Sequence, residues 1–150
     1  MRRAMTRATS RDDAKDRGTF SLFTAIFAVF VIMLAGLVVD GGLAIHARER
    51  AADIAEQAAR AGADDIDLGA LRATGEPSVD TATACEKARD LAASYADQIS
   101  SWTCDPSPEQ VSVRITIQVE PQLLDIIPGL GPFTMTSTAT ARPERGGDEG

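Results

Sequence analysis

The hydrophobic pattern is dominated by one charge-free run near the N-terminus, residues 18–39. At about 1.5 Å of rise per helical residue the run spans about 33 Å, enough to cross a bilayer core of about 30 Å. A cleaved secretory signal is the alternative, but its apolar core usually has about 7 to 15 residues and ends near a small-x-small cleavage site. The run is longer and has no such site, so the pattern predicts a retained transmembrane helix.

Beyond this run, apolar and small residues keep a helical spacing, which predicts that the helix continues through residues 40–63 and ends near Gly62. They recur at alternating steps of four and three, as in a heptad repeat. The members of this seam are Leu37, Asp40, Ala44, Ala47, Ala51, Ile54, Ala58 and Ala61. Alanines let a partner helix approach closely, but such a stripe is also typical of packing against the chain's own core. Asp40 either points along the seam or marks the exit of the helix to water.

Residues 64–142 form the predicted small exported domain. Its first part, up to residue 81, loses the helical period and contains glycine and proline, which indicates a loop. Residues 82–99 regain the period and predict a second helix, followed by a proline-containing turn. Cys85 in this helix and Cys104 in the turn both lie in the exported part, where paired cysteines usually form a bridge. We expect one disulfide, with two free thiols as the alternative.

Two later segments alternate between apolar and polar residues, which predicts two antiparallel strands at residues 111–120 and 133–142. The connector between them, residues 121–132, is unusually apolar for a loop and needs cover from the domain, the membrane or a partner. We expect its apolar residues to contact a partner: Leu123, Leu124, Ile126, Ile127 and Leu130. Residues 143–150 are predicted to be a disordered tail.

The charge distribution predicts the orientation. Residues 1–17 carry six Lys or Arg against three Asp, so this basic tail, read as disordered, is expected to stay in the cytoplasm. The rest of the chain carries nine Lys or Arg against nineteen Asp or Glu. Such an acidic exported part argues against nucleic acid as a partner.

Candidate chemistry is sparse. The single histidine, His46, has no serine or cysteine partner at a recognisable spacing, so we expect no catalytic site, no cofactor and no small-molecule substrate. His46, Glu49 and Asp53 stand three and four residues apart and could share a metal on one helix face. A solvated charged face is the simpler interpretation, and we predict no metal site.

Three motifs in the first half of the chain occur together in one known family. They are the basic-glycine pair Arg17-Gly18 before the apolar run, VVDGG at residues 38–42, and ARERAADIAEQAARAGA at residues 47–63. In this order and spacing they resemble the N-terminal region of TadE/TadG-like proteins of tight-adherence, Flp-type pilus systems, and the short exported domain is more TadE-like. The resemblance covers residues 17–63.

The resemblance implies a minor pilin or pseudopilin in a bacterial cell membrane, with lipid and other pilin-like or Tad-type assembly proteins as partners. It also makes Gly18 a candidate processing site. Peptidase-processed pilins usually have a glutamate five positions after the glycine, whereas Phe23 stands there, which argues against cleavage. The expected fold is α+β and pilin-like: a transmembrane helix continuing outside, a second helix and a β-hairpin. The alternative function is a membrane-tethered binding or adhesion module that acts through the connector outside any filament.

Overall fold

A single helix forms the long axis of the protein. The computed structural model describes residues 12–126, 129 and 131–144, apart from the side chains of residues 12–19 and of Ile126. Helix α1, Asp12–Ala63, has 52 residues and runs without a break through Gly41 and Gly42. Its portion Phe20–Ala63 contains the one stretch in the described residues that is apolar and long enough to cross a membrane, with a mean hydropathy of 2.9. The predicted continuation of the helix is thus present.

Helix α1 starts earlier than the pattern of charges indicated. Residues 12–17, which the sequence assigns to a disordered tail, are helical, because once a long helix is nucleated each added residue gains a backbone hydrogen bond. The rest of the basic tail and the final residues, 145–150, lie outside the described residues.

The sheet has three antiparallel strands in the order β1-β2-β3: β1 is Ser101–Ser107, β2 is Gln110–Val119 and β3 is Phe133–Ala141. The predicted pairing of the two alternating segments is confirmed, with Ile115 opposite Ser137. The prediction of a simple hairpin was incomplete, because the segment expected to be a turn forms β1. Pro106 is compatible with that strand because β1 lies at an edge of the sheet, where a missing N–H is tolerated.

Two further helices lie between α1 and the sheet in the chain. Helix α2, Leu68–Thr74, occupies part of the segment predicted to be a loop. Asp67 starts it by accepting the backbone N–H groups of Gly69 and Ala70 at 2.8 and 3.0 Å, and Gly75, at φ 75°, ends it. Helix α3, Ala84–Ala93, is shorter than predicted, because residues 94–98 form turns.

The core lies where the second half of α1 packs against α3 and one face of the sheet. Alanines on α1 let the helix approach closely, and branched residues from the sheet fill the space. The buried residues of this interface include Ala47, Ala51, Ile54, Ala58, Ala88, Val111, Val113 and Ile115. The predicted disulfide between Cys85 and Cys104 is present, with a Cα–Cα distance of 5.9 Å, and joins α3 to β1.

Candidate functional site

Asp40 is the one buried charged residue among the described residues, with 1% of its surface exposed. It holds the start of the connector against α1. Its Oδ1 accepts the backbone N–H of Gln122 at 2.8 Å and that of Leu123 at 3.3 Å. Its Oδ2 accepts the N–H of Leu123 at 3.2 Å and that of Leu124 at 2.8 Å. Three successive amides thus converge on a single carboxylate.

The carboxylate is placed where the connector turns into a short 3-10 helix, Leu124–Ile126. The first N–H groups of a helical turn have no partner within the turn, and an anion at that end satisfies them. Burial on its own raises the pKa of the Asp40 carboxyl, but the N–H donors of Gln122, Leu124 and Leu123 outweigh it and hold the pKa below its ordinary value of 3.8. Asp40 is therefore ionised at neutral pH.

Gly36 provides the space that the connector needs. It lies one helical turn before Asp40, so the two share a face of α1. A Cβ at this position would stand 3.3 Å from the Cβ of Leu123 and 3.6 Å from the Cδ2 of Leu124. By contrast, a Cβ at Gly41 or Gly42 would meet nothing within 4 Å. Gly36 and Asp40 therefore form one docking surface for the connector, which we call the connector seat.

The sequence pattern does not predict this seat. The glycines that stand out in the sequence are those of VVDGG, which have open space around them, whereas Gly36 carries no local signal. The partner amides follow Asp40 by 82 to 84 residues, so no local pattern links them. Two features of the sequence could have indicated the seat. Gly36 and Asp40 stand four residues apart near the end of the apolar run, and the apolar connector needs a surface to cover it.

The residues of the predicted seam have separate environments. Ala47, Ala51, Ile54 and Ala58 are buried within the chain's own core, which is the second of the two interpretations of the stripe. Ala44 and Ala61 are half-buried, Leu37 is exposed, and Asp40 faces the connector. Most of the seam is thus occupied by the protein's own domain and is not a free surface for another helix.

The structure describes only some of the other predicted site residues. Leu123 is 48% exposed and Leu124 is half-buried. Ile127, Leu130 and the side chain of Ile126 lie outside the described residues. Gly18, the candidate processing site, lies within α1.

The charged face of α1 carries an exposed pair, with His46 Nδ1 3.6 Å from Glu49 Oε2. Asp53, the third residue of the candidate metal set, is also exposed. Within the part of the chain that the structure describes, no group of three or more His, Cys, Asp or Glu is placed to hold a metal.

The comparisons with known proteins agree with the motifs in α1. Residues 18–65 match the Tad family model, that of Flp pilus-assembly TadE/G-like proteins. The searches of curated proteins and of solved structures gave no match. The matched residues include the apolar run, the connector seat and the alanine-rich half of α1. This confirms the resemblance, and the family is one of structural and assembly proteins. Residues 18–65 are therefore a TadE/G-like segment, similar to the corresponding segment of Flp pilus-assembly proteins.

Proposed function

We propose that the protein is a minor pilin-like structural component or assembly factor of a Tad-type pilus system. Residues 18–39 anchor it in the bacterial cell membrane as a single pass. The basic N-terminal tail stays in the cytoplasm, and the domain that begins at residue 40 is exported. The family match and the six basic residues before the apolar run support this arrangement.

The observation that carries the proposal is the division of α1 into two halves. Before Gly36 its large apolar side chains, such as Phe20 and Phe30, are exposed, and only lipid or other helices could cover them. After Asp40, one face of the same helix is buried in the core of the exported domain. A helix of this kind couples an exported domain firmly to the membrane, as a subunit built into a helical assembly requires.

A second face of α1 is available for neighbouring subunits. Val38, Ile45 and Ala52 are spaced seven residues apart on the side away from the core, and all three are exposed. Ile45 is 63% exposed although it lies beyond the apolar run. Gly41, with nothing within 4 Å of an added Cβ, leaves room for close helix approach on this side.

Gene deletion in the source bacterium tests the function. We expect surface pili, counted by electron microscopy and measured as sheared pilin, to fall sharply and to return when the wild-type gene is restored. Normal pili in the deletion strain would contradict the proposal. If pili are normal while attachment to surfaces is lost, the alternative of a tethered adhesion module is supported.

Crosslinking tests the helix face. A photoreactive residue introduced as Ile45→p-benzoylphenylalanine should form adducts with other pilus-assembly proteins in intact cells. Thr138→p-benzoylphenylalanine, on the exposed face of β3, is the matched control and should form fewer. Equal or absent adducts at position 45 would remove this face from the proposed assembly contact.

A further inference from the structure

We infer that the connector is a second membrane contact: residues 122–126 rest in the outer interface of the bilayer beside α1, with the side chain of Leu123 against lipid. The inference rests on the membrane orientation proposed above. It adds a lipid-binding site to the exported domain and gives Asp40 a role in forming it.

The connector meets α1 at the depth of the membrane. Gly36 lies within the charge-free run, one helical turn and about 6 Å on the membrane side of Asp40. The leucine side chains of the connector lie against α1 at Gly36, where an added Cβ would stand 3.3 Å from the Cβ of Leu123 and 3.6 Å from the Cδ2 of Leu124. If residues 18–39 cross the bilayer, Leu123 and Leu124 reach the outer edge of its hydrocarbon core.

The surface around this contact is apolar. Leu123 is about half exposed, and on α1 Met33 and Leu37, which flank Gly36 in the helix, are exposed as well. Asp125 is the one charged residue in the twelve-residue connector. An apolar surface continuous with a membrane-spanning run is covered most simply by the same lipid, since lipid already surrounds that run.

The backbone N–H groups at the start of the connector are satisfied by Asp40. A loop can approach hydrocarbon only if its N–H groups are satisfied, because each unpaired group there costs several kcal/mol. Asp40 accepts the N–H groups of Gln122, Leu123 and Leu124, so the backbone donors of the connector next to α1 have a partner. Its own charge is in turn balanced by four hydrogen bonds, and among the described residues no buried polar side-chain atom lacks a partner. The carboxylate thus lets an irregular segment rest on a membrane helix.

Fluorescence quenching in vesicles tests the inference on the full chain. Leu123→Trp is made in a Trp102→Phe background, and the protein is reconstituted into two kinds of phosphatidylcholine vesicle, with bromine near the headgroup or near the ends of the acyl chains. For Leu123→Trp we expect a blue-shifted maximum and loss of most of the tryptophan emission with the bromine near the headgroup. Phe27→Trp, in the middle of the apolar run, serves as the membrane control and should be quenched by the bromine near the chain ends, and Thr138→Trp, on the exposed sheet, is the aqueous control.

The controls distinguish failure of the connector inference from failure of the membrane anchor. If Phe27→Trp is quenched and Leu123→Trp is not, the connector inference fails while the membrane anchor stands. If neither is quenched, the membrane placement fails as well. Emission from Leu123→Trp that is blue-shifted, unquenched and dependent on protein density would show that a second copy covers the connector, which also overturns the inference.

A variant that displaces Leu123 from α1 tests whether the lipid contact depends on the connector seat. Gly36→Leu places a side chain where Leu123 lies, so it should reduce the quenching of the tryptophan from Leu123→Trp. Gly41→Leu, five residues on in the same helix with open space around it, should leave the quenching unchanged. Equal quenching in both variants would contradict docking at Gly36.

Discussion

Replacing Ala51 with leucine tests whether the alanine stripe of α1 belongs to the domain's own core. Ala51 is 0% exposed, and the surrounding part of α1 packs against β2, β3 and α3. Leucine adds three carbon atoms to a filled space, and overpacking of this kind costs about 1–3 kcal/mol. For a domain of this size, that loss lowers the melting temperature by about 5–20 °C.

Thermal melting of the full chain in detergent measures this effect. Trp102, a half-buried residue that packs against the core, reports unfolding of the exported domain by its fluorescence. Ala52→Leu is the control, because it makes the same change one residue further on, at an exposed position, and should change stability by less than about 0.5 kcal/mol. If Ala51→Leu leaves the melting temperature unchanged but abolishes pili, the stripe contacts another subunit and the reasoning is refuted.

Three further predictions concern the domain and the seat. Cys85→Ser with Cys104→Ser removes a link across 19 residues and should cost about 3 kcal/mol in urea unfolding; an equally stable variant would contradict this. Ile115→Ala, at a fully buried position, should cost about 2–5 kcal/mol, whereas Thr134→Ala on the exposed sheet face should cost under about 0.5 kcal/mol in the same assay. Because the pKa of Asp40 is lowered in the folded state, its hydrogen bonds to the connector should stabilise the fold at neutral pH, and this stabilisation should be lost as the pH falls through that pKa. NMR titration of the Asp40 carboxyl carbon measures the pKa, and a midpoint above pH 3.8 would contradict the prediction.

Hydrophobic periodicity predicted helix α1 and strands β2 and β3, because each of them has one face on the core. The period of two in β2 and β3 follows from a sheet with one face on the core, and the helical period of α1 follows from one buried face. The disulfide was predicted because both cysteines lie in the part of the chain expected to be exported, where paired cysteines usually form a bridge. Strand β1 was missed because Pro106 and Pro108 resemble turn residues, and only pairing with β2 makes Ser101–Ser107 a strand. Helix α2 was missed although its cap signals, Asp67 and Gly75, stand at its ends.

The connector seat could not be predicted in the same way. Its two halves are separated by more than eighty residues, and each has an ordinary local explanation: a carboxylate after an apolar run suggests an exit to water, and a glycine in such a run suggests little. The need of the connector for cover was predicted, but the identity of that cover depends on how the sheet returns the chain to α1. Tertiary structure alone brings Asp40 to the amides of Gln122, Leu123 and Leu124.

The central claim is that Asp40 joins the exported domain to the membrane end of α1 by binding the connector amides. Hydrogen exchange of the Gln122, Leu123 and Leu124 amides, measured on the full chain in lipid nanodiscs, tests it most directly. Asparagine offers one acceptor oxygen in place of two, so Asp40→Asn should speed this exchange about tenfold to a hundredfold, while Asp53→Asn, at an exposed position of the same helix, should not. Rapid exchange in the wild-type protein, or identical rates in Asp40→Asn, would contradict the claim.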